Sequence, residues 1–269
     1  MMIQVVYCLL VHKNPSQVER LISRLSDGAA HFVVHVDKKA DLNDFSFLNK
    51  NENVHVIADA VVSNWGQFGL IEATLRLITY VHRSVRNYDR VVLLSGQDYP
   101  IKANSYIREF FQKHPDRIFM EYFEIPCIQW NNGGIDRFPY FQSVRNVLKI
   151  CGGSQWWSMP AFAVDFLIGT NDDLSILDDY FKKVVIPEES YFQTVLFNSN
   201  HDKILSNLRS ESLHYIKWSG NSAHPDLLTS AHFENMRQSA ALFARKFDTG
   251  FDSGILDLID NKLLLNNKY

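Results

Sequence analysis

The first hundred residues alternate apolar runs with amphipathic stretches, and this alternation limits the possible folds more than any other feature. Runs typical of buried strands lie at residues 3–11, 31–37, 53–58 and 88–98. Residues 14–28 and 66–84 instead have the apolar spacing of helices. Strands that alternate with helices form a mostly parallel central sheet with helices on both faces, so we predict an α/β fold. Further helices are predicted at 160–170, 187–199, 226–239 and 254–265.

The size and composition of the chain are those of an ordinary globular protein. Its 269 residues include 46% hydrophobic residues, which are enough for a substantial core. We find no internal repeat, low-complexity tract or linker in the sequence. We therefore predict one domain that spans residues 1–269.

Charge and cysteine content argue against several classes of function. The formal net charge of −3 gives no overall basic character, and we find no local basic patch in the sequence of the kind that binds nucleic acid. The three cysteines, Cys8, Cys127 and Cys151, are far apart and odd in number, which favours neither a zinc site nor a disulfide framework. The N-terminal apolar run is too short to span a bilayer. We expect a cytoplasmic protein with at most a peripheral membrane association.

Two residues beside predicted strand ends are candidates for ligand contacts. Asp37 follows the run at 31–37, where it either accepts backbone N–H groups in a turn or contacts a base or a sugar hydroxyl. Trp65 precedes Gly66 at the junction with the next helix, where a tryptophan either fills the core or forms the wall of a sugar pocket. The residue types alone leave both pairs of alternatives open.

A pair of cations near the end of the chain is a candidate anion site. Arg245 and Lys246 stand between Phe243 and Phe247. They either belong to a surface helix whose side chains snorkel or bind a diphosphate through a planar fork and a point charge. Ser219 and Ser222 lie in a preceding loop and are possible phosphate donors or simple loop residues. No Asp-x-Asp motif follows an apolar strand, so divalent-metal chemistry has little support.

The segment Pro187-Glu188-Glu189 has the composition of a helix start, since acidic groups favour the first turn. Adjacent residues of a helix diverge by about 100°, so the two glutamates cannot both face one cleft. They match poorly the facing carboxylates of a glycoside hydrolase. One of them could act alone as a general base, and we expect a helix N-terminus to keep it ionised.

Seven segments in order resemble the core-2/I-branching enzymes, a family that also includes the peptide O-xylosyltransferases and is known as glycosyltransferase family 14. The segments are "HVDKKA", "SNWGQFGLIEATL", "LLSGQDYPIKA", "GSQWWSM", "IPEESYFQTVL", "YIKWSG...AHP" and "LFARKFD". The resemblance implies a GT-A-type fold and inverting transfer from a UDP-sugar without a metal ion or other cofactor. The chain looks like a minimal, bacterial catalytic domain, because it has neither the membrane anchor nor the many cysteines of the animal enzymes.

The resemblance also assigns roles to individual residues. It implies that Glu189 is the catalytic base and that Asp37 contacts the uracil. Trp65 would line the donor pocket, and Arg245 with Lys246 would hold the diphosphate. Ser222 would contact phosphate, with Ser219 as the competing alignment.

The predicted function is transfer of a sugar, GlcNAc or xylose, to a hydroxyl of a glycan or other acceptor. About 1–105 would form the nucleotide-sugar-binding half, and about 106–269 the acceptor-binding and catalytic half. The loops around 124–141 would bind the acceptor, although their sequence has no match that transfers. The alternatives are a catalytically inactive sugar- or nucleotide-binding protein on the same scaffold and a glycoside hydrolase.

Overall fold

The computed structural model describes residues 3–169, 175–220, 222 and 224–265. The strands before residue 105 are β1 (Val5–Val11), β2 (His31–Val36), β3 (Val54–Val56), β4 (Arg90–Ser95) and β5 (Asp98–Pro100). The later strands are β6 (Ile118–Met120), β7 (Phe123–Glu124), β8 (Cys151–Gly152), β9 (Trp157–Pro160), β10 (Leu208–Arg209), β11 (His214–Ile216) and β12 (Phe243–Arg245).

The α-helices are short apart from α2. They are α1 (Pro15–Leu25), α2 (Gly69–Ser84), α3 (Asn104–Lys113), α4 (Phe141–Val144), α5 (Ala161–Gly169), α6 (Ser175–Phe181), α7 (Tyr191–Phe197), α8 (Asp202–Asn207), α9 (Phe233–Gln238) and α10 (Gly254–Ile259). Turns of 3₁₀ helix lie at Leu42–Lys50, Asn131–Arg137, Pro187–Glu189 and Ser230–His232, and a π-helical turn lies at Asp260–Leu264. Within the described ranges, no helix has both the length and the apolar character needed to cross a membrane.

In the described part of the chain, the main sheet has seven strands in the order β10-β6-β9-β4-β1-β2-β3. β1 pairs in parallel with β2 and β4, β2 pairs in parallel with β3, and β10 pairs in parallel with β6. β9 is antiparallel to both of its neighbours, β4 and β6. The predicted α/β fold with a mostly parallel central sheet is therefore confirmed. A smaller sheet has the order β11-β12-β5, and β7 pairs with β8.

Alternation along β1 explains why helices cover both faces of the sheet. Val5, Tyr7 and Leu9 point into a core that contains the buried face of α1, α10 and part of α3. Val6 and Cys8 point the other way, into a core formed with α2, α5 and α7. Because successive side chains of a strand face opposite sides, a fully apolar strand needs a helical layer on each face.

Two predicted elements differ from the structure, and one strand was not predicted. The run at 88–98 contains β4, which ends at Ser95 as the Ser-Gly pair predicts, and the chain then turns into β5, which joins β12 in the smaller sheet. The helix predicted at 187–199 is a 3₁₀ turn followed by α7, since Ile186 has a φ of 54° and Ser190 leaves the helical region with a φ of −143°. The segment "LFARKFD" contains β12, so the surface helix considered for Arg245 and Lys246 is wrong.

The remaining predicted helices are present, although two of them begin several residues later than predicted. The helix predicted at 66–84 begins at Gly69, and the one predicted at 226–239 begins with the 3₁₀ turn at Ser230. The helix predicted at 160–170 is α5, and its predicted last residue, 170, lies outside the described residues. The helix predicted at 254–265 is α10 followed by the π-helical turn.

Candidate functional site

A cavity of about 460 Å³ lies at the carboxyl ends of the central parallel strands. His12 and Lys13 follow β1, Asp37 follows β2, and Gln97 follows β4. The lining also includes Lys39, Ser63, Asn64, Trp65, Ser95, Gln155, Trp156, His224, Arg245 and Lys246. The carboxyl edge is where open parallel sheets bind ligands. Four of the five residues predicted to bind the donor, namely Asp37, Trp65, Arg245 and Lys246, therefore share one cavity.

Asp37 is almost completely buried and joins two loops at the edge of the cavity. Its Oδ1 accepts a hydrogen bond from the backbone N of Lys39 at 2.8 Å. Its Oδ2 accepts from the backbone N and the Oγ of Ser63, at 2.8 and 2.5 Å. Burial by itself raises the pKa of Asp37, but these hydrogen bonds outweigh burial and hold the pKa below its usual value. The turn-forming alternative considered for Asp37 is thus observed, and a carboxylate with three donors still has room for another.

Trp65 is half exposed and forms a wall of the cavity. Its ring meets the ring of His224 edge to face, with centroids 4.7 Å apart. The next residue, Gly66, has a φ of 73°, which favours glycine. The backbone N of Gly66 donates to Oε1 of Glu188 at 2.8 Å. Trp65 is therefore a cavity residue rather than a core residue, and the glutamate turn holds its loop.

Arg245 lies at the end of β12, directly opposite Asp98 in the antiparallel pair with β5. Its Nε donates to Oδ1 of Asp98 at 2.9 Å. Its guanidinium lies over the ring of Trp156, 4.2 Å from the ring centroid. Since Arg245 and Trp156 both line the cavity, a fixed, planar cation is present at its wall.

Lys246 also lines the cavity, beside Arg245 and close to Lys13. Burial, followed by the charges of Arg245 and Lys13, lowers the pKa of Lys246. Lys13 itself forms an ion pair with Asp248 at 2.8 Å. No carboxylate forms such a pair with Lys246 among the described residues, so the positive charge of Lys246 is less neutralised than that of Lys13. An anion bound in the cavity would offset the repulsion that lowers this pKa.

The two candidate serines lie in the exposed loop after β11. Oγ of Ser219 donates to Oδ2 of Asp226 at 2.5 Å. Oγ of Ser222 accepts from the backbone N of His224 at 3.2 Å. Among the described residues, the cavity lining contains His224 of this loop but neither serine. The phosphate contact of Ser222 therefore stays a prediction, and Ser219 is already bonded to a carboxylate.

Glu189 is partly buried and forms an ion pair with a residue that the sequence did not single out. Its Oε2 lies 2.7 Å from Nη1 of Arg137. Burial raises the pKa of Glu189, while Arg137 and then Arg245 act to lower it. Burial raises the pKa of Glu121, and the negative charge of Glu189 raises it further. The expected helix N-terminus at Glu189 is wrong, since the residue closes a 3₁₀ turn of three residues, so cationic side chains oppose the effect of burial instead.

Glu188 faces a different partner from Glu189, in keeping with the predicted divergence of the two side chains. Only 3% of its surface is exposed, and Oε1 binds the backbone N of Gly66. Oε2 has no hydrogen-bond partner among the described residues. Burial raises the pKa of Glu188 to about 7. Glu188 therefore connects the turn that carries Glu189 to the loop that carries Trp65.

Three residues of the site were missed by the sequence analysis, namely Arg137, Asp98 and Trp156. Arg137 ends the 3₁₀ turn at Asn131–Arg137, and its guanidinium lies 3.7 Å from the ring centroid of Trp130. Asp98 and Trp156 lie in segments that were noted, "LLSGQDYPI" and "CGGSQWWS", but no pattern in the sequence pairs either one with Arg245. In the described residues, no group of three or more His, Cys, Asp or Glu side chains could hold a metal ion.

The fold and the cavity define an α/β protein whose ligand cavity has cationic side chains in its wall. Near this wall lie Glu188, which is buried, and Glu189, which is partly buried. The sequence matches the model of the Core-2/I-Branching enzyme family over residues 5–238. The chain therefore belongs to this family of glycosyltransferases, which confirms the resemblance found in the sequence. Membership supports sugar transfer as the general class of activity.

Curated relatives include several xylosyltransferases. Xylosyltransferase of Ciona intestinalis is 25% identical over 300 residues, which cover 97% of this chain and 34% of that protein. Xylosyltransferase 1 of Rattus norvegicus is 23% identical over 303 residues, or 98% of this chain and 36% of that protein. Xylosyltransferase 2 of Homo sapiens is 25% identical over 297 residues, with 96% and 33% covered. The chain thus spans about a third of the length of these relatives.

A solved structure with partial likeness is that of a putative glucose-1-phosphate thymidylyltransferase from Bacillus anthracis in complex with a sucrose. It is 12% identical, with a TM-score of 0.32, and the match covers 61% of this chain and 74% of that chain. A likeness at this level supports no conclusion about the site.

Proposed function

We propose that this chain is an inverting, metal-independent glycosyltransferase that moves a sugar from a UDP-sugar to a hydroxyl group of a glycan or other acceptor. The observation that carries the proposal is the cavity at the carboxyl edge of the sheet, which collects Asp37, Trp65, Arg245 and Lys246. Glu189 lies close enough to Arg245 for the arginine to lower its pKa. A cationic donor site would therefore stand beside a carboxylate base.

The donor would bind with its uracil at Asp37 and its diphosphate at the cationic wall. Asp37 has an oxygen lone pair left for a base N–H after its three donors are counted. Trp65 offers a flat ring at the cavity wall, which suits a sugar or a base. Arg245 and Lys246 would bind the phosphate oxygens as a planar fork and a point charge.

The reaction would be a single in-line displacement. The acceptor oxygen forms a bond to the anomeric carbon while the bond from that carbon to the UDP oxygen breaks. Glu189 takes the proton of the acceptor hydroxyl, and UDP leaves with the electron pair of the broken bond. Arg245 and Lys246 would stabilise the charge that develops on the diphosphate. Attack from the face opposite the leaving group inverts the anomeric configuration.

Metal independence follows from the source of the positive charge in this scheme. Many phosphate-handling sites use Mg²⁺ to neutralise the leaving group, and here two side chains of the chain itself would do so. Arg245 is fixed in place by Asp98 and Trp156, so its charge needs no metal to position it.

Xylose and GlcNAc are the proposed donor sugars. The relatives described above are named xylosyltransferases, which makes UDP-xylose the first donor to test. The acceptor would approach Glu189 from the side of Arg137, which belongs to the region predicted to bind it.

The test is a transfer assay in EDTA with UDP-xylose, UDP-GlcNAc, UDP-galactose and UDP-glucose, each offered with a panel of sugar and serine-peptide acceptors. Mass spectrometry identifies the product, and proton NMR of the first product gives its anomeric configuration. We expect transfer from one donor with inversion, and transfer by the Glu189→Gln variant that is about 10²- to 10⁴-fold slower. Product of retained configuration, or activity that appears only with added divalent cations, would contradict the proposal. Cleavage of glycans without any UDP-sugar would instead indicate a glycoside hydrolase.

A further inference from the structure

Asp98 is the most completely enclosed charged group beside the cavity. None of its surface is exposed, and both of its carboxylate oxygens accept hydrogen bonds. Oδ2 accepts from the backbone N of Ser95 and, at 2.6 Å, from Oγ of Ser95. Oδ1 accepts from Nε of Arg245 at 2.9 Å. The carboxylate is thus held on one side by the end of β4 and holds Arg245 with the other.

The contact with Asp98 uses only one edge of the guanidinium. Among the described residues, Nε is the nitrogen of Arg245 that has a hydrogen bond, so Nη1 and Nη2 are left for a ligand. The ring of Trp156 lies 4.2 Å from the guanidinium carbon and restricts its plane. Two contacts, one along the edge and one on the face, therefore fix both the position and the plane of the fork.

A second basic side chain lies near Asp98 but does not compete for it. Nε2 of His214 is 3.9 Å from Oδ1 of Asp98, beyond hydrogen-bond distance. Burial lowers the pKa of His214 to about 4, so the imidazole is neutral at neutral pH. Arg245 is therefore the cation that pairs with Asp98.

We propose that Asp98 is a positioning residue for the donor diphosphate, which orients Arg245 so that its two terminal nitrogens face the leaving group. The proposal rests on the proposed function, since it assumes that UDP occupies the cavity. Orientation and charge predict opposite effects of removing Asp98. A carboxylate that only added negative charge near the diphosphate would weaken binding, and its removal would tighten it. A carboxylate that holds the fork in place would strengthen binding, and its removal would weaken it.

The experiment measures the Kd of UDP by calorimetry in EDTA for the wild type, Asp98→Ala, Arg245→Ala and the double variant. We expect Asp98→Ala to weaken UDP binding about thirtyfold, because loss of a partner that orients a ligating side chain typically costs about 10- to 100-fold in affinity. In the Arg245→Ala background, the same change should alter the Kd by less than about twofold, because Asp98 acts through the arginine.

A matched control separates this role from a general loss of stability. Asp260 is also buried and forms ion pairs with Arg20 and Arg24, outside the cavity lining. Asp260→Ala should lower the melting temperature but leave the Kd of UDP unchanged. If Asp98→Ala does not fold, Asp98→Asn replaces it. One oxygen of an amide cannot serve both Ser95 and Arg245, so this variant should still bind UDP several-fold more weakly.

The outcomes distinguish the two proposals. A wild-type protein that does not bind UDP overturns the proposed function and this inference together. UDP binding by the wild type that is unchanged or tighter after removal of Asp98 overturns only the inference. An equal loss of affinity with and without Arg245 also overturns it, because Asp98 would then act independently of the arginine.

Discussion

Arg137 and Glu189 form an ion pair, with Nη1 of the arginine 2.7 Å from Oε2 of the glutamate. Burial raises the pKa of Glu189, and Arg137 is the first of two cations that oppose the rise. A general base must be ionised to accept a proton, so this pair sets the lower end of the pH range in which the proposed enzyme works.

Replacement of Arg137 should shift the acidic limb of the pH–rate profile to higher pH. Without the arginine, the pKa of Glu189 rises further, and a larger fraction of the base is protonated at a given acidic pH. The measurement is kcat against pH for Arg137→Gln. Arg145→Gln is the matched control, since Arg145 packs on Phe141 and has no described contact with Glu189. An acidic limb that stays in place would show that Arg137 does not tune the base.

The pairing of Arg137 with Glu189 also marks the limit of what the sequence predicts. Apolar periodicity is local, so β1, β2 and α2 are recognisable from neighbouring residues alone. Arg137 and Glu189 are 52 positions apart, and Asp98 and Arg245 are 147 positions apart. Such pairs are set by how the strands and turns pack, and no spacing in the sequence encodes them.

Some residues of the candidate site could be predicted from sequence motifs, whereas other features of the site depend on how the chain packs. Asp37, Trp65 and the pair at 245–246 lie in motifs that could be singled out, and the fold brings them to one cavity. The local conformation of the glutamate turn could not be predicted, because the left-handed backbone of Ile186 is unusual for a β-branched residue. A helix start was therefore expected where a 3₁₀ turn is found.

Removal of the Lys246 ammonium should weaken UDP binding about tenfold, the loss typical of a charge-assisted hydrogen bond to phosphate. The affinity of the Lys246→Ala variant should also depend less on salt, since one cationic contact is gone. Calorimetric titration with UDP at two salt concentrations measures both effects. Lys113→Ala is the control, because Lys113 is exposed and paired with Glu109 on α3. Equal affinities for wild type and Lys246→Ala would remove Lys246 from the donor site.

Trp65→Ala should reduce donor binding with little effect on folding. The side chain is half exposed, so we expect its loss to cost less than about 1 kcal/mol of unfolding free energy. Loss of the aromatic wall should weaken binding of the UDP-sugar about fivefold. Chemical denaturation and calorimetry measure the two quantities. Tyr106→Ala, a similarly exposed aromatic residue on α3, should leave binding unchanged. A large loss of stability with unaltered binding would make Trp65 a structural residue.

Glu188→Gln should make the protein more stable at neutral pH. Burial raises the pKa of Glu188 from 4.5 to about 7, so the folded state favours the protonated carboxyl. The stability that this preference supplies is fully present below pH 4.5 and is lost as the pH rises through about 7. Glutamine keeps an oxygen for the N–H of Gly66 and does not ionise, so the gain above pH 7 should reach up to about 3 kcal/mol.

Urea denaturation of Glu188→Gln and wild type at pH 4.5, 6 and 8 checks this expectation. The two proteins should differ least at the lowest pH and most at the highest. Glu188→Ala serves as the comparison, because it removes the charge together with the contact to Gly66 and should also weaken UDP-sugar binding. A constant difference between Glu188→Gln and wild type at all three pH values would show that Glu188 does not titrate in this range.

Glu189 is the proposed catalytic base, and the Glu189→Gln variant removes its ability to accept a proton. The measurement is kcat for sugar transfer together with the Kd of UDP, both in EDTA, on one preparation of wild type and variant. We expect kcat to fall about 10²- to 10⁴-fold and the Kd of UDP to change by less than about twofold, because glutamine keeps the shape of the side chain but cannot take a proton. Transfer by the variant at the wild-type rate would contradict this assignment.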